Sequence, residues 1–301
     1  MDLSRLFSVS KPSIGVVHLL PLPTSPRWGG SLKAVIDRAE QEAAALAAGG
    51  ISGILVENFC DAPFPKDRVD PAVISAMTMI VQRIQTLVPV PVGVNVLRND
   101  SLGAMAIASC VGADFIRVNV LSGVMATDQG VIEGCAHDLL RYRRELGANV
   151  KILADVLVKH AHPLSTSQLA VAVRDTIERG LADGVILSGA ATGTPPSIDE
   201  LVAARSAAGE TPLLVGSGAD LDNVAQLLSI ADGVIVASSL KRRGQIDLPV
   251  DPNRVHQFME ATKRPYQPPA SPAAIASQNT SQDTSQNNGH LGTPPVAALS
   301  S

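Results

Sequence analysis

Apolar and polar positions alternate in blocks along the chain, with short β-branched runs separated by longer alanine-rich segments. The short runs are almost continuously apolar, as in Ile14-Gly15-Val16-Val17 and Val234-Ile235-Val236. Strands covered on both faces have this composition, because neither face meets water. The pattern predicts eight strands, over residues 14–18, 51–56, 91–96, 114–119, 150–156, 183–187, 212–216 and 232–236.

The alanine-rich segments between these runs have the length and the end signals of helices. They predict helices over 31–48, 71–87, 101–111, 136–147, 166–180, 197–208 and 220–229. Ser31 is a start signal, Gly49-Gly50 a stop signal, and Asp70-Pro71 and Asp251-Pro252 are helix-opening pairs. The count of eight strands, without a G-x-G-x-x-G after the first, favours an α/β fold of the (β/α)8 TIM-barrel type over an open sheet.

Composition divides the chain into three parts. The predicted barrel covers residues 14–263, after an N-terminal extension over 1–13. From 264 onward the chain is rich in Pro, Ser, Gln, Asn and Thr and has almost no charge. Such a segment cannot bury enough apolar surface to offset chain entropy, so residues 264–301 are predicted to be a disordered tail.

Overall composition excludes some classes of function. Hydrophobic residues make up 46% of the 301 residues and charged residues 17%, as in a globular protein with a large core. A net charge of −4 without a basic run argues against a nucleic-acid partner. Three widely spaced cysteines indicate a reducing compartment. Neither a signal peptide nor a membrane-spanning stretch is evident, which favours a cytoplasmic protein.

Polar residues follow nearly every predicted strand. The carboxyl ends of barrel strands carry the functional groups of this fold, and a mere scaffold would not need polar groups converging there. The residues at these positions are His18, Glu57, Asn58, Asn95, Arg117, Asn119, Asp155, Ser188, Gly189, Gly216, Ser217, Gly218, Ser238 and Ser239. We therefore expect a polar pocket at this rim.

The last loops predict a phosphate site. Gly216-Ser217-Gly218 follows strand seven and Ser238-Ser239 follows strand eight, where loops offer backbone N–H groups to phosphate. Ser188-Gly189-Ala190-Ala191-Thr192-Gly193 could add donors and Lys241 a countercharge. The further candidate ligand contacts are Asn95, Arg117, Asn119 and Lys159. The alternative is that the glycines only make tight turns.

Three side chains at the rim are candidates for acid–base chemistry: Glu57, Asp155 and His18. The two carboxylates could act as general base and acid or share a metal, or they could be structural ion-pair partners of Arg117. His18 could instead be a hydrogen-bonded rim histidine without a chemical role. No cofactor can be named from these residues.

Several neighbouring residues allow weaker interpretations. His160 and His162 do not have the partners of a zinc site, so no metal is predicted. Lys159 could form a Schiff base, although contact with an anion fits its loop position better. Arg98 could grip an anionic ligand or form a surface ion pair with Asp100 or Asp61. Cys60 is a reactive thiol or loop filler.

The motifs at these strand ends are similar to those of the BtpA family. The matching stretches are Gly15-Val16-Val17-His18-Leu19-Leu20-Pro21-Leu22-Pro23, Glu57-Asn58-Phe59-Cys60-Asp61-Ala62-Pro63-Phe64, Gly93-Val94-Asn95-Val96-Leu97-Arg98-Asn99-Asp100, Phe115-Ile116-Arg117-Val118-Asn119-Val120, Asp155-Val156-Leu157-Val158-Lys159-His160, Ser188–Gly193 and Gly216-Ser217-Gly218. The resemblance covers residues 12–260. Cys60, Ala237 and Thr24 stand where the family more often has glycine.

The resemblance implies a role in photosystem I biogenesis. It implies a peripheral protein on the cytoplasmic side of the thylakoid membrane that supports accumulation of reaction-centre proteins, with those proteins or their assembly intermediates as partners. The family also occurs in organisms without photosynthesis, so an enzyme acting on a phosphorylated sugar or nucleoside is the alternative. A scaffold without chemistry is a third interpretation. A homo-oligomer is compatible with all three.

Overall fold

Eight parallel strands close into a barrel in the computed structural model, which describes residues 1–165, 168–189 and 191–266. The strands are β1 (Ser13–His18), β2 (Gly53–Glu57), β3 (Val92–Asn95), β4 (Phe115–Val118), β5 (Val124–Thr127), β6 (Gly130–Glu133), β7 (Lys151–Val156), β8 (Ala161–Pro163), β9 (Gly184–Leu187), β10 (Leu213–Val215) and β11 (Gly233–Val236). The barrel contains all of them except β5, β6 and β8, and it closes where β11 pairs with β1. The predicted (β/α)8 TIM barrel is therefore confirmed.

Helices surround the barrel, and each of the eight predicted strands overlaps a barrel strand. The helices are α1 (Leu3–Phe7), α2 (Leu32–Ala48), α3 (Pro71–Leu87), α4 (Ser101–Val111), α5 (Ala136–Glu145), α6 (Leu169–Arg174), α7 (Ile198–Ala208), α8 (Val224–Ile230) and α9 (Pro252–Thr262). The caps read from the sequence are present, since Ser31 accepts from the N–H of Ala34 and Asp70 from that of Ala72.

The predicted helix over 166–180 is split. Residues 166–167 lie outside the described part of the chain, α6 then runs as an α-helix, and Asp175–Arg179 continues as a wider π-helix. Short 3-10 turns at Phe59–Asp61 and Ser238–Leu240 follow β2 and β11 directly. Both turns border the rim to which the polar residues were assigned.

Large apolar side chains fill the barrel interior. They are Ile14, Val16, Leu55, Phe115, Leu153, Ile186, Leu214 and Ile235. Helix α1, within the N-terminal segment 1–13, adds Leu3 and Phe7 to the same cluster. The Phe7 ring meets Phe115 edge-on with ring centroids 5.5 Å apart. A Cβ on Gly53 would lie 2.6 Å from the Phe7 ring, so glycine at position 53 admits the ring. Helix α1 thus closes the amino-terminal end of the barrel.

A small antiparallel sheet, absent from the sequence prediction, lies outside the barrel. Its strand order is β6-β5-β8, and Met125 on the central strand pairs with Ile132 on one side and Pro163 on the other. Met125 and Ile132 pack with Val120 and Val158, which follow β4 and β7. This packing holds the β5–β6 hairpin beside the carboxyl-terminal rim.

The remaining predictions concern membranes and the tail. In the described part of the chain, no helix has the length and apolar character needed to cross a bilayer. Of the predicted tail over 264–301, residues 267–301 lie outside the described residues.

Candidate functional site

Near the carboxyl end of each of several barrel strands, one inward-facing position is apolar and the next inward-facing position, two residues later, is polar or glycine. Side chains two positions apart lie on the same face of a strand. Val16 is therefore followed on the inner face by His18, Leu55 by Glu57, and Phe115 by Arg117. The same step leads from Gly93 to Asn95, from Leu153 to Asp155, from Ile186 to Ser188 and from Leu214 to Gly216. The site is thus a continuation of the barrel interior.

His18, Glu57 and Asn95 form one cluster on three adjacent strands. The Asn95 Nδ2 donates to Glu57 Oε2 at 2.6 Å, and the His18 Nε2 lies 3.8 Å from Glu57 Oε1. Phe59 stacks on the imidazole with ring centroids 4.6 Å apart. Burial, reinforced by the positive charges of Lys241 and Lys159, holds the pKa of His18 well below its ordinary value. A neutral imidazole beside a carboxylate can accept a proton and return it.

Asp155 has a different environment from Glu57. Arg117 donates to both oxygens of Asp155, with Nε and Nη2 each at 2.8 Å, and the Asn119 amide adds a third bond at 3.0 Å. Burial opposes the guanidinium charge, yet the carboxylate outweighs it and raises the pKa of Arg117 above its ordinary value. The Asp155 side chain is wholly buried. This geometry matches the ion-pair interpretation, in which Asp155 orients Arg117.

A cleft with two lobes opens above these clusters. The larger lobe has a volume of about 250 Å³, and a narrower lobe of about 40 Å³ adjoins it. Both are lined by Glu57, Phe59, Arg117, Lys159 and Thr192. Asp155 lines neither lobe and instead borders a separate cavity of about 100 Å³ between the barrel and the small sheet. Glu57 is therefore the acidic residue of the barrel floor that faces a ligand in this cleft.

The narrower lobe lies against the predicted phosphate loops. It is lined by His18, Gly193, Gly216, Ser217, Gly218, Ala219, Ala237 and Ser238, among others. The Ser217 hydroxyl donates to the Thr194 carbonyl at 2.8 Å, and the Ser239 hydroxyl to the Ala219 carbonyl at 2.8 Å. Because these two hydroxyls are engaged, backbone N–H groups, the Ser238 hydroxyl and the Lys159 ammonium group are the donors that this lobe would offer to an anion.

The glycines of these loops also serve packing. Gly218 has φ +76°, and a Cβ there would lie 2.1 Å from the Pro195 nitrogen. A Cβ on Gly189 would lie 2.4 Å from the Thr194 carbonyl oxygen, and one on Gly216 would lie 2.6 Å from the Ser188 hydroxyl. Tight loop packing alone accounts for glycine at these positions. Phosphate contact by their backbone stays a prediction, and Ala190 lies outside the described residues.

Two lysines assigned to anion binding lie in different places. Lys159 lines both lobes, and burial, followed by the charge of Arg117, lowers its pKa. Lys241 is fully buried and donates to Glu42 Oε2 at 2.5 Å, a partner on α2. The expectation that Lys241 supplies a countercharge in the pocket is therefore wrong, because its ammonium group is bound to Glu42 and lines neither lobe.

Arg98 is buried rather than paired on the surface. Its side chain lines the larger lobe, and its Nη2 donates to the Lys159 carbonyl at 2.8 Å. Asp100 is instead the N-cap of α4, and Asp61 accepts from the N–H of Leu22 and from Asn58. The surface ion pair considered for Arg98 is not formed.

The sequence did not point to several residues of the cleft. Phe59, Phe64 and Leu97 are its apolar walls, and Asp128 and Gln129 reach it from the β5–β6 hairpin. The glycine at the end of Thr127-Asp128-Gln129-Gly130 is the sequence feature that indicates a hairpin turn, and Gly130 has φ +102° in the structure. Recognising it would have required reading residues 120–135 as two short strands.

Metal and thiol chemistry gain no support at the rim. Within the described residues, no three His, Cys, Asp or Glu side chains are placed to hold a metal ion. Burial raises the pKa of the half-buried Cys60 thiol. Such a thiol is a poor nucleophile, which favours the loop-filler interpretation.

Fold and cleft together define a TIM-barrel protein with a polar site at the carboxyl ends of its strands. N-(5'-phosphoribosyl)anthranilate isomerase from Pyrococcus furiosus has the same fold, with a TM-score of 0.51 and 14% identity, over 84% of this chain and 98% of that one.

Within this class, the chain belongs to the BtpA family, whose sequence profile matches residues 9–264. The photosystem I biogenesis protein BtpA of Synechocystis sp. is 70% identical over 261 residues, which cover 87% of this chain and 91% of that protein. An uncharacterised protein of Thermococcus kodakarensis is 45% identical over 263 residues, covering 87% of this chain and 97% of the relative. The resemblance inferred from the motifs is thus confirmed.

Proposed function

We propose that this chain supports photosystem I biogenesis by promoting accumulation of the reaction-centre proteins. The observation that carries the proposal is the 70% identity to a photosystem I biogenesis protein over nearly the whole barrel. The reaction-centre proteins or their assembly intermediates would be its partners. It would meet them as a peripheral protein on the cytoplasmic side of the thylakoid membrane.

The proposal includes a phosphorylated small molecule as the ligand of the cleft. The narrower lobe adjoins the loops after β10 and β11, where barrels of this fold commonly bind phosphate. Lys159 lines both lobes. Among the described residues, no carboxylate lies within ion-pair distance of its ammonium group. An anionic ligand would supply the missing negative charge.

Complementation tests the biogenesis role. The chain is expressed in a Synechocystis strain that lacks BtpA, and reaction-centre proteins are quantified by immunoblotting. We expect their level to rise to that of the parent strain. If the chain accumulates normally and the reaction-centre proteins remain at the level of the deletion strain, the proposal is wrong.

A Glu57→Gln variant in the same strain tests whether the cleft matters. This change removes the charge that faces the cleft, and glutamine keeps an acceptor for Asn95. Asp155 stays intact because its loss would strand Arg117. We expect Glu57→Gln to behave like the deletion, while Glu133→Gln, an exposed control on β6, behaves like the unmodified chain. Full complementation by Glu57→Gln would show that the barrel acts through its outer surface.

An enzyme acting on a phosphorylated sugar or nucleoside is the second candidate. The relative in Thermococcus kodakarensis, an archaeon without photosystem I, and the neutral His18 beside Glu57 favour it. A thermal-shift screen with such phosphates tests it, because a ligand at 100 times its Kd adds about 2.7 kcal/mol of stability. At about 2–4 °C per kcal/mol, the melting temperature would rise by roughly 5–10 °C. A screen without any shift contradicts this candidate.

A further inference from the structure

Arg98 is a cation in the wall of the larger lobe with an incomplete set of partners. Its side chain lines the lobe and the residue is only 7% exposed. One nitrogen donates to the Lys159 carbonyl at 2.8 Å. Across residues 1–165, 168–189 and 191–266, no carboxylate forms an ion pair with its guanidinium. A guanidinium has five donors, so most of its hydrogen-bonding capacity remains for another group.

The acids near Arg98, among them Asp128 in the wall of the same lobe, form their hydrogen bonds with other residues. Glu57 is bound by Asn95 and Asp155 by Arg117 and Asn119. Asp128, on the neighbouring hairpin, accepts from the Gln129 amide at 2.5 Å. Their charges favour the protonated guanidinium, yet burial dominates and lowers the pKa of Arg98. A buried charge without a direct counterion is costly, and an anion in the lobe would remove that cost.

Arg98 and the phosphate loops lie in different lobes of the cleft. Arg98 lines only the larger lobe, whereas Gly216, Gly218 and Ser238 line only the narrower one. Lys159 lines both. Phe59 lines both lobes and Leu97 lines the larger one, and their apolar surface suits the uncharged part of a ligand.

We propose that Arg98 forms a second anion subsite, with Lys159 between it and the phosphate loops, so that the cleft takes a small molecule with two anionic groups. One group is the phosphate at the loops after β10 and β11, and the other is a carboxylate or a second phosphate at Arg98. The forked guanidinium matches either group through paired hydrogen bonds. This inference rests on the proposed function, because it assumes a phosphate in the narrower lobe.

Two matched pairs of probes test the subsite by isothermal titration calorimetry of the full chain at constant ionic strength. Glycerol 3-phosphate is compared with 3-phosphoglycerate, and fructose 6-phosphate with fructose 1,6-bisphosphate. We expect at least one doubly anionic probe to bind about tenfold more tightly than its partner, as expected for a charge-assisted pair of hydrogen bonds. The pair that shows the preference identifies the second group as carboxylate or phosphate.

Variants assign the preference to Arg98. In Arg98→Gln we expect the preference to disappear while the Kd of the monophosphate changes little. Arg98→Lys keeps the charge without the fork and should retain part of the preference; it also replaces the glutamine variant if that one fails to fold. Arg68→Gln removes the same charge from an exposed position in the loop after β2 and should change neither Kd.

The outcomes separate this inference from the proposed function. Equal binding of both members of each pair, or equal weakening of both by Arg98→Gln, overturns the second subsite and leaves the phosphate cleft standing. Failure of all four probes to bind the unmodified chain contradicts the phosphate ligand, and the subsite with it. Complementation of the Synechocystis strain remains a separate test of the biogenesis role.

Discussion

The two ends of the barrel interior are built from inward-facing residues of the same strands, but these residues are apolar at one end and polar at the other. At the amino-terminal end, Leu3 and Phe7 from α1 pack on Phe115, and all three are buried. At the carboxyl-terminal end, two residues further along the strands, the buried atoms are polar. His18 Nδ1 and Ser188 Oγ have no hydrogen-bond partner within the described part of the chain. The amino-terminal end is closed by protein, whereas the carboxyl-terminal end keeps buried polar atoms that we propose a ligand would bind.

The comparison separates stability from function along a single strand. Apolar side chains at the closed end gain free energy on leaving water, whereas buried polar groups without partners cost it. A protein tolerates that cost where the groups serve binding or chemistry. Substitutions at the closed end should therefore lower the stability of the fold and leave ligand binding unchanged. Most substitutions at the rim should weaken ligand binding more than they lower stability.

Phe115→Ala is expected to have the largest effect on stability. The ring is fully buried and contacts Phe7, and a Cβ on Gly93 would lie 2.2 Å from it, so it fills its site closely. Removing such a ring costs about 3–5 kcal/mol. Chemical denaturation measures the loss, and the Kd of a cleft ligand should remain unchanged under native conditions.

Phe59→Ala is the matched control at the rim. This ring is half-buried and stacks on His18, so we expect a loss below about 2 kcal/mol and a clear weakening of ligand binding. If Phe59→Ala destabilises the fold as much as Phe115→Ala, the assignment of stability to the closed end and of ligand binding to the rim is wrong. Phe115→Leu serves where the alanine variant is too unstable to purify.

Gly218→Ala should be next in size. A Cβ there collides with Pro195, and φ +76° is unfavourable for alanine, so about 2–4 kcal/mol should be lost. Gly30→Ala is the control, because Gly30 has φ +79° but nothing within 4 Å of its Cβ position. Chemical denaturation gives the loss of unfolding free energy for each variant, and the difference between the two losses measures the part that comes from the collision with Pro195. Equal losses would leave backbone conformation, and not loop packing, as the reason for glycine at 218.

Asp155→Asn tests whether this carboxylate belongs to the structure or to the chemistry. We expect about 2–3 kcal/mol of destabilisation, less than the full cost of breaking a buried pair, since asparagine keeps an oxygen for Arg117. Glu57→Gln should cost less than about 1 kcal/mol, because no Arg or Lys of the described residues forms an ion pair with Glu57. Urea denaturation of both variants measures these losses of unfolding free energy. Equal losses would contradict the assignment of Asp155 to a structural ion pair and of Glu57 to the cleft.

The fold was predictable because barrel strands have a strong local signature. Each is buried on both faces, so the apolar runs at 14–18 and 232–236 stand out without knowledge of their neighbours. Strands β5, β6 and β8 are as long as several barrel strands, but most of their positions are partly or fully exposed, so their runs resemble loops. Helix α1 has only five residues, and its burial depends on the barrel beneath it.

The sequence was enough to predict which residues lie at the rim, but not which of them form ion pairs and hydrogen bonds with one another. Strand ends converge in any barrel, so His18, Glu57 and Arg117 could be assigned to one rim from the sequence. Which acid Arg117 neutralises depends on side-chain directions that periodicity does not contain. Lys241 shows the limit, because its partner Glu42 is 199 residues away in the chain. Arg98 was considered either for an anionic ligand or for a surface ion pair, and its burial becomes evident only with the Lys159 loop in place.

The smallest predicted effect is a pH dependence that originates at His18. Burial lowers its pKa in the folded chain below the ordinary value of 6.5, while the unfolded chain titrates near that value. As the pH falls below 6.5, the unfolded chain therefore binds more protons than the folded one, and the free energy of unfolding decreases. The contribution of His18 is fully present above that pH and is lost in acid.

His18→Gln isolates this contribution from the carboxylates that also titrate in acid. Denaturation at pH 7.5 and at pH 5 gives the stability lost by each protein, and we expect the variant to lose less than the parent. His137→Gln, at an exposed position on α5, should lose as much as the parent. Since His18 must be neutral to accept a proton from a ligand, an unchanged loss in His18→Gln would also remove the basis for acid–base chemistry at this rim.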